Sequence, residues 1–171
     1  EETAFVVEEI SNQMKSGKSF QDIAVLYRTN AQSRAIEEAL IKNSIPYRVF
    51  GGVRFYARKE IKDIISYLRI IQNPKDSVSW QRVINVPTRG MGQKSADKLK
   101  NAGWDLDEVE KISKIPIKRW ISKKDKMSTL ELMEEVLKDT GYIKWLDDGT
   151  EEALSRIENI KELKTVASQF V

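Results

Sequence analysis

The chain has 171 residues, 32% charged and 40% hydrophobic, with a formal net charge of +3 and neither histidine nor cysteine. That length suits about one domain with a sizeable core, which excludes a disordered tail or a fibre, and no apolar run approaches the ~18 residues that cross a bilayer. Without imidazole or thiol, disulfide frameworks, Cys or His metal sites and every triad centred on those groups are excluded, so any chemistry falls to carboxylates, Lys and Arg, hydroxyls, aromatics or backbone.

In chain order, Ala4, Phe5, Val6, Val7, Ile10 and Met14 fall at helical spacing before Gly17, which predicts a helix over 2–16. Asp22 to Tyr27 is a short, nearly continuous apolar run of the kind found in a strand buried on both faces of a sheet. Thr29 or Asn30 can cap the next helix, through Ala35, Ile36, Ala39 and Leu40 to Asn43, and Pro46 to Phe50 predicts a second strand closed by Gly51 and Gly52. After Gly52 the rhythm turns helical: 59–71 carries Ile61, Ile64, Ile65, Leu68 and Ile71 on one face, 78–86 reads as a short helix, and Gly92 opens another that ends near Gly103. Helices are further expected at 105–112, 128–139 and 151–170, with the lysine-rich 118–126 as a loop or helix edge. The predicted fold class is α/β, a partial parallel sheet piece followed by a mostly helical subdomain. The sequence opens at Glu1 in mid-pattern, which suggests an excised fragment.

The charge is uneven: residues 1–47 carry −2, residues 48–100 carry +8 and residues 101–171 carry −3. Phe50, Phe55, Tyr56, Tyr67 and Trp80 interleave the basic third, a pattern that fits a polyanion-binding surface and equally a solvated basic face.

Three stretches stand out. VLYRTNAQSR, residues 25–34, sets Tyr27 and Arg28 at the carboxyl end of the first predicted strand, where open α/β sheets bind ligands. Tyr27 offers a flat face for a base and Arg28 a planar fork for phosphate, although a strand-end tyrosine and a helix-paired arginine are as simple a reading. YRVFGGVRFYARKEIKDIISYLR, residues 47–69, places Arg54, Phe55, Tyr56, Arg58 and Lys59 after two glycines, suited to holding a nucleic-acid backbone or to anchoring a loop. NVPTRGMG, residues 85–92, leads through Gly90, Met91 and Gly92 into a helix containing Lys94, so that backbone N–H groups at the helix start can face a phosphate.

In this order and spacing the three stretches resemble motif IV, motif IVa and the start of subdomain 2B in the UvrD/PcrA/Rep family of superfamily 1 DNA helicases, and SRIENIKEL at 155–163 resembles the return toward RecA-like domain 2A. The likeness is dense over 22–100 and again over 155–170. Residues 101–154 match only in helical character and are expected to be shorter than usual. Domain boundaries follow: 1–58 as part of 2A, 59–160 as 2B, 161–171 as the return.

The resemblance implies a parent enzyme, an ATP-dependent DNA helicase translocating 3′ to 5′, with ATP and Mg2+ as cofactors of the parent and stable binding of neither by the fragment. Tyr27 would stack on adenine and Arg28 would reach the γ-phosphate as the catalytic cation. Arg54, Phe55 and Arg58 would lie along single-stranded DNA, some as contacts and some as braces, while Thr88, Arg89, Gly90, Met91, Gly92 and Lys94 would meet duplex DNA. Met91 stands where isoleucine is common in the family. No Gly-x-x-x-x-Gly-Lys-Ser/Thr loop and no magnesium-holding Asp-Glu pair occurs, so the fragment is expected to be inactive alone and to need domains 1A and 1B. No metal site and no membrane partner are expected, and a bacterial, cytoplasmic, nucleoid-associated location follows. Alternatives are a segment of an AddA/RecB-like helicase-nuclease subunit, or a non-enzymatic DNA-binding or protein-docking module derived from 2B.

Overall fold

Helical spacing of apolar residues governs the fold to a greater extent than the first fifty residues predict. The computed structural model describes residues 2–170 and falls into two compact units, Glu1–Arg58 and Lys59–Val171. The first unit holds α1 (Glu2–Lys15) and α2 (Ser33–Lys42), with single 3-10 turns at Phe20–Asp22, Asn30–Gln32 and Phe55–Ala57.

The expected parallel sheet piece is absent: the described residues contain no strand. Both predicted strands are extended and alternate in burial, with Ile23, Val25 and Tyr27 half-buried on one side and Ile45, Tyr47 and Val49 on the other segment likewise. Their outward partners stay exposed, Leu26 at 93% and Phe50 at 82%. The missing element is the hydrogen-bond ladder, because the backbone groups at the segment ends are committed elsewhere. The Ile45 N–H donates to the Leu40 carbonyl at 2.9 Å and that of Ser44, at φ 55°, to Ile41 at 3.0 Å, a Schellman closure of α2. Pro46 has no N–H, and the N–H groups of Arg28 and Thr29 go to the Gln32 side chain. Two segments without further strands are also too few for a stable sheet.

The second unit is built on α3 (Lys59–Gln72), which packs against α4 (Ser77–Val83), α7 (Ile117–Lys123), α8 (Thr129–Thr140) and α10 (Glu151–Ala167). Its Ile61, Ile64, Tyr67, Ile70 and Ile71 are buried, each such side chain contributing roughly 1.5–3 kcal/mol of transfer free energy. Between them, α5 (Gln93–Asn101), α6 (Leu106–Ser113) and the short α9 (Tyr142–Leu146) complete the bundle. Residues 118–126, read from sequence as a loop or helix edge, thus lie largely in α7, whose Ile117 and Trp120 are buried, and α10 runs unbroken to Ala167.

The helix ends use their own side chains. Asp105 accepts from the N–H groups of Asp107 at 3.1 Å and Glu108 at 3.0 Å, and Ser128 with Glu131 forms a capping box on α8. Three tryptophans bury their rings and satisfy their indole N–H: Trp80 on the Pro74 carbonyl, Trp104 on Ser77 and Trp120 on Asp139. The rings of Trp80 and Trp104 stack at 5.7 Å, and Tyr67 meets Trp120 edge-on at 6.0 Å.

Two acids of α3 face inward. Asn159 of α10 donates to Glu60 at 2.7 Å, while Tyr142 of α9 donates to Asp63 at 2.8 Å and Arg82 of α4 pairs with it at 2.7 Å. Burial raises the Asp63 carboxyl above the usual aspartate range, and Tyr142 and Arg82 pull it back. The result is a helix pinned by polar bonds to three others.

Candidate functional site

The first cluster lies within Glu1–Arg58. Tyr27 is half-buried and Arg28 exposed at the end of the extended segment that precedes α2. The amide oxygen of Gln32 accepts from both the Arg28 and Thr29 N–H groups at 3.0 Å, so the backbone at Arg28 is fixed while its side chain faces solvent. The guanidinium, a planar fork suited to carboxylate or phosphate oxygens, extends from that fixed backbone into solvent.

The residues of the 54–58 stretch separate into two kinds. Arg54 is exposed, its guanidinium 5.1 Å from the centre of the Tyr47 ring. Phe55 and Arg58 are buried. The Arg58 guanidinium sits 5.3 Å from the Phe55 ring and donates to the Asn30 carbonyl, the Ser33 hydroxyl and the Val53 carbonyl. Around it, Glu37 accepts from Ser33, Phe55 and Tyr47, and Glu38 accepts from Tyr56 while pairing with Arg34. Burial, and then the neighbouring carboxylates, push the Tyr47 hydroxyl up and that of Tyr56 to about 12, so both stay protonated donors. Arg28, Arg54 and the buried group are thus parts of one locally folded piece.

The second cluster lies within Lys59–Val171, on the turn between α4 and α5. Asn85 closes this turn by donating to the Met91 carbonyl at 2.9 Å and accepting the Arg89 N–H at 2.8 Å. The Val86–Pro87 peptide is cis. Gly90 has φ 66°, a left-handed conformation that glycine adopts without strain. Gly92 is the N-cap of α5, and Thr88, Gly90, Gly92 and Lys94 are exposed while Met91 is half-buried. Arg89 turns inward, donating to the carbonyls of Val83, Ile84 and Pro87 and to the Tyr67 hydroxyl. What remains outward is a row of backbone groups at a helix start with a lysine beside it, a surface that suits phosphate.

Gln32, Ser33, Glu37 and Asn85, which build these clusters from within, escape a reading by motif, and Tyr67 enters that reading only as an aromatic among the basic residues. One signal was available: Ser33 and Glu37 stand at i and i+4 on the face of α2 that also carries Ile36 and Leu40. An acid on that face needs partners.

The model of the UvrD-like helicase C-terminal domain matches residues 1–119. The chain belongs to that family. Over 191 aligned positions it is 40% identical to the ATP-dependent DNA helicase PcrA of Staphylococcus aureus and 38% identical to that of Staphylococcus epidermidis. Each alignment covers 99% of this chain and 26% of the relative, so the chain spans about a quarter of the length of the curated relatives it matches. Among the described residues of this UvrD-like chain no group of His, Cys, Asp and Glu is placed to hold a metal, and no helix is long and apolar enough to cross a membrane.

Proposed function

We propose that this chain is the part of an ATP-dependent, 3′ to 5′ DNA helicase that presents a nucleotide-facing arginine from domain 2A and DNA-facing residues from each of 2A and subdomain 2B. The observation that carries the reading is the Arg28 turn: an exposed guanidinium on a backbone doubly held by Gln32, next to the half-buried ring of Tyr27. These two side chains fit one edge of a nucleotide, the ring for the base and the fork for phosphate. Bound ATP supplies the phosphoanhydride and Mg2+ its counter-charge. Arg28 stabilises the negative charge that develops on the transferred group, and Tyr27 orients the base. The groups that ligate magnesium and activate water belong to domain 1A, which closes against this edge.

On the DNA side, Arg54 pairs with the backbone of the single strand, Phe55 and Arg58 brace its loop, and the Thr88–Gly92 turn with Lys94 takes a duplex phosphate while Arg89 supports the turn from within. Support comes from the +8 charge of residues 48–100 and from the exposure of Arg54 and Lys94. The test is Arg28→Ala in the full-length helicase. ATP turnover should fall about 10³-fold or more, the range for arginine fingers, with single-strand affinity within about threefold of wild type. Equal loss of both, or no loss of turnover, overturns the assignment.

A further inference from the structure

Arg54 is bracketed by backbone groups that end in one buried polar network, and the same network holds the Asn30 carbonyl two residues after Arg28. Ser33 is 1%, Glu37 7% and Arg58 9% exposed. Arg58 donates through Nη1 to the Asn30 carbonyl at 2.9 Å, through Nη2 to the Ser33 hydroxyl at 2.7 Å and through Nε to the Val53 carbonyl at 3.2 Å. Ser33 donates onward to Glu37 Oε1 at 2.9 Å. That oxygen also accepts the Phe55 N–H at 3.2 Å, and Oε2 accepts the Tyr47 hydroxyl at 3.0 Å. Val53 and Phe55 flank Arg54. Asn30 follows the two residues whose N–H groups Gln32 holds.

A buried carboxylate and a buried guanidinium are costly unless each stays fully hydrogen-bonded. A displacement of residues 28–33 therefore breaks several bonds at once or carries residues 53–58 with it, and the second course is cheaper. We infer that Arg58, acting through Ser33 and Glu37, is a positioning residue that transmits movement of the nucleotide-facing Arg28 turn to the DNA-facing Arg54 loop. This rests on the reading of Arg28 and Arg54 above. Coupling of this kind is reciprocal: nucleotide changes DNA affinity by the factor with which DNA changes nucleotide affinity.

The measurement is the affinity of the full-length helicase for a fluorescent single-stranded oligonucleotide with and without a non-hydrolysable ATP analogue, whose ratio defines the coupling factor. A factor of about 5–150 is typical of such linkage. Arg58→Lys, which keeps the charge and loses the fork, should bring the ratio to within about twofold of unity, and Ser33→Ala, which deletes one hydroxyl, should move it at least about threefold toward unity. Nucleotide-free DNA affinity should stay within about threefold in Ser33→Ala. An unchanged ratio in Ser33→Ala overturns the inference, as does a nucleotide-free affinity loss in Arg58→Lys equal to that of Arg54→Ala, which would make Arg58 a direct contact. Ser33→Ala decides the matter should Arg58→Lys fail to fold. Arg28→Ala and Arg54→Ala run alongside: normal turnover in the first or normal DNA affinity in the second refutes the underlying reading, whereas losses in both beside an unchanged ratio in Ser33→Ala refute the network alone.

Discussion

The guanidinium of Arg89 donates to the hydroxyl of Tyr67 at 2.6 Å, across 22 residues of chain, and thereby fastens the 85–92 turn to the middle of α3. Three carbonyls of the same turn region share its other amino group. Arg89, which the family resemblance sets against duplex DNA, is here the internal support of its own turn.

Arg89→Ala should therefore destabilise the chain by about 2 kcal/mol, the scale of a charged hydrogen-bond hub, as measured by urea unfolding. Tyr67→Phe should cost about 1 kcal/mol, and the double variant less than the two together, because they remove one shared bond. Strict additivity would show that the Tyr67 bond contributes nothing.

Arg54 is expected to behave oppositely. Arg54→Ala should leave the urea midpoint unchanged, yet lower the magnitude of the slope of log affinity against log salt for single-stranded DNA by about 0.7, the value for one lost phosphate contact. Arg54→Lys should keep the slope. A slope unaltered in Arg54→Ala would place the phosphate contact elsewhere.

Asp76 caps α4, accepting from the Ser79 N–H at 3.0 Å and from its hydroxyl at 2.7 Å. The Ser79 hydroxyl, then its N–H, hold the Asp76 carboxyl below its usual range. Because the folded value is depressed, the cap's contribution is complete above the ordinary value of 3.8 and is lost as pH falls through the folded value. Asp76→Ala should cost about 1 kcal/mol at neutral pH, and that deficit should shrink once the acid side of this window is reached. A deficit constant from pH 7 to pH 2 would show that the charge plays no part.

The helices of residues 59–170 other than α7 and α9 were legible because their apolar residues repeat at 3 and 4: Ile61, Ile64 and Ile71 point to one face, and all three are buried. The two strands were misread for a definite reason. The apolar run 22–27 predicts burial on both faces, whereas its burial alternates as it does in 45–49 and leaves Leu26 outward; a ladder further depends on where backbone donors go, and Ile45, Arg28 and Thr29 spend theirs within their own neighbourhoods. Tyr142–Leu146 escaped because five residues are too short to show a helical period. At the site, residue type suggested Arg28, Arg54, Arg58 and Arg89 alike. What divides them is burial, since Arg58 and Arg89 turn to carbonyls that no sequence pattern marks, whereas Arg28 and Arg54 stay in solvent.

The uneven supply of ladder bonds and buried apolar side chains also sets how the backbone breathes. Among the described residues, the buried apolar side chains of Glu1–Arg58 are Ile10, Leu40 and Phe55, whereas Lys59–Val171 holds Trp80, Trp104, Trp120 and the isoleucines of α3. Hydrogen exchange should consequently show a steep internal gradient. Amides of 24–27 and 47–54 should exchange within the dead time, those of α2 next, and those of α3 and α8 only on global opening. Slow exchange in the extended segments would mean that they find partners in solution, and the gradient itself would mark Glu1–Arg58 as the yielding end of the chain, the part most responsive to whatever binds it.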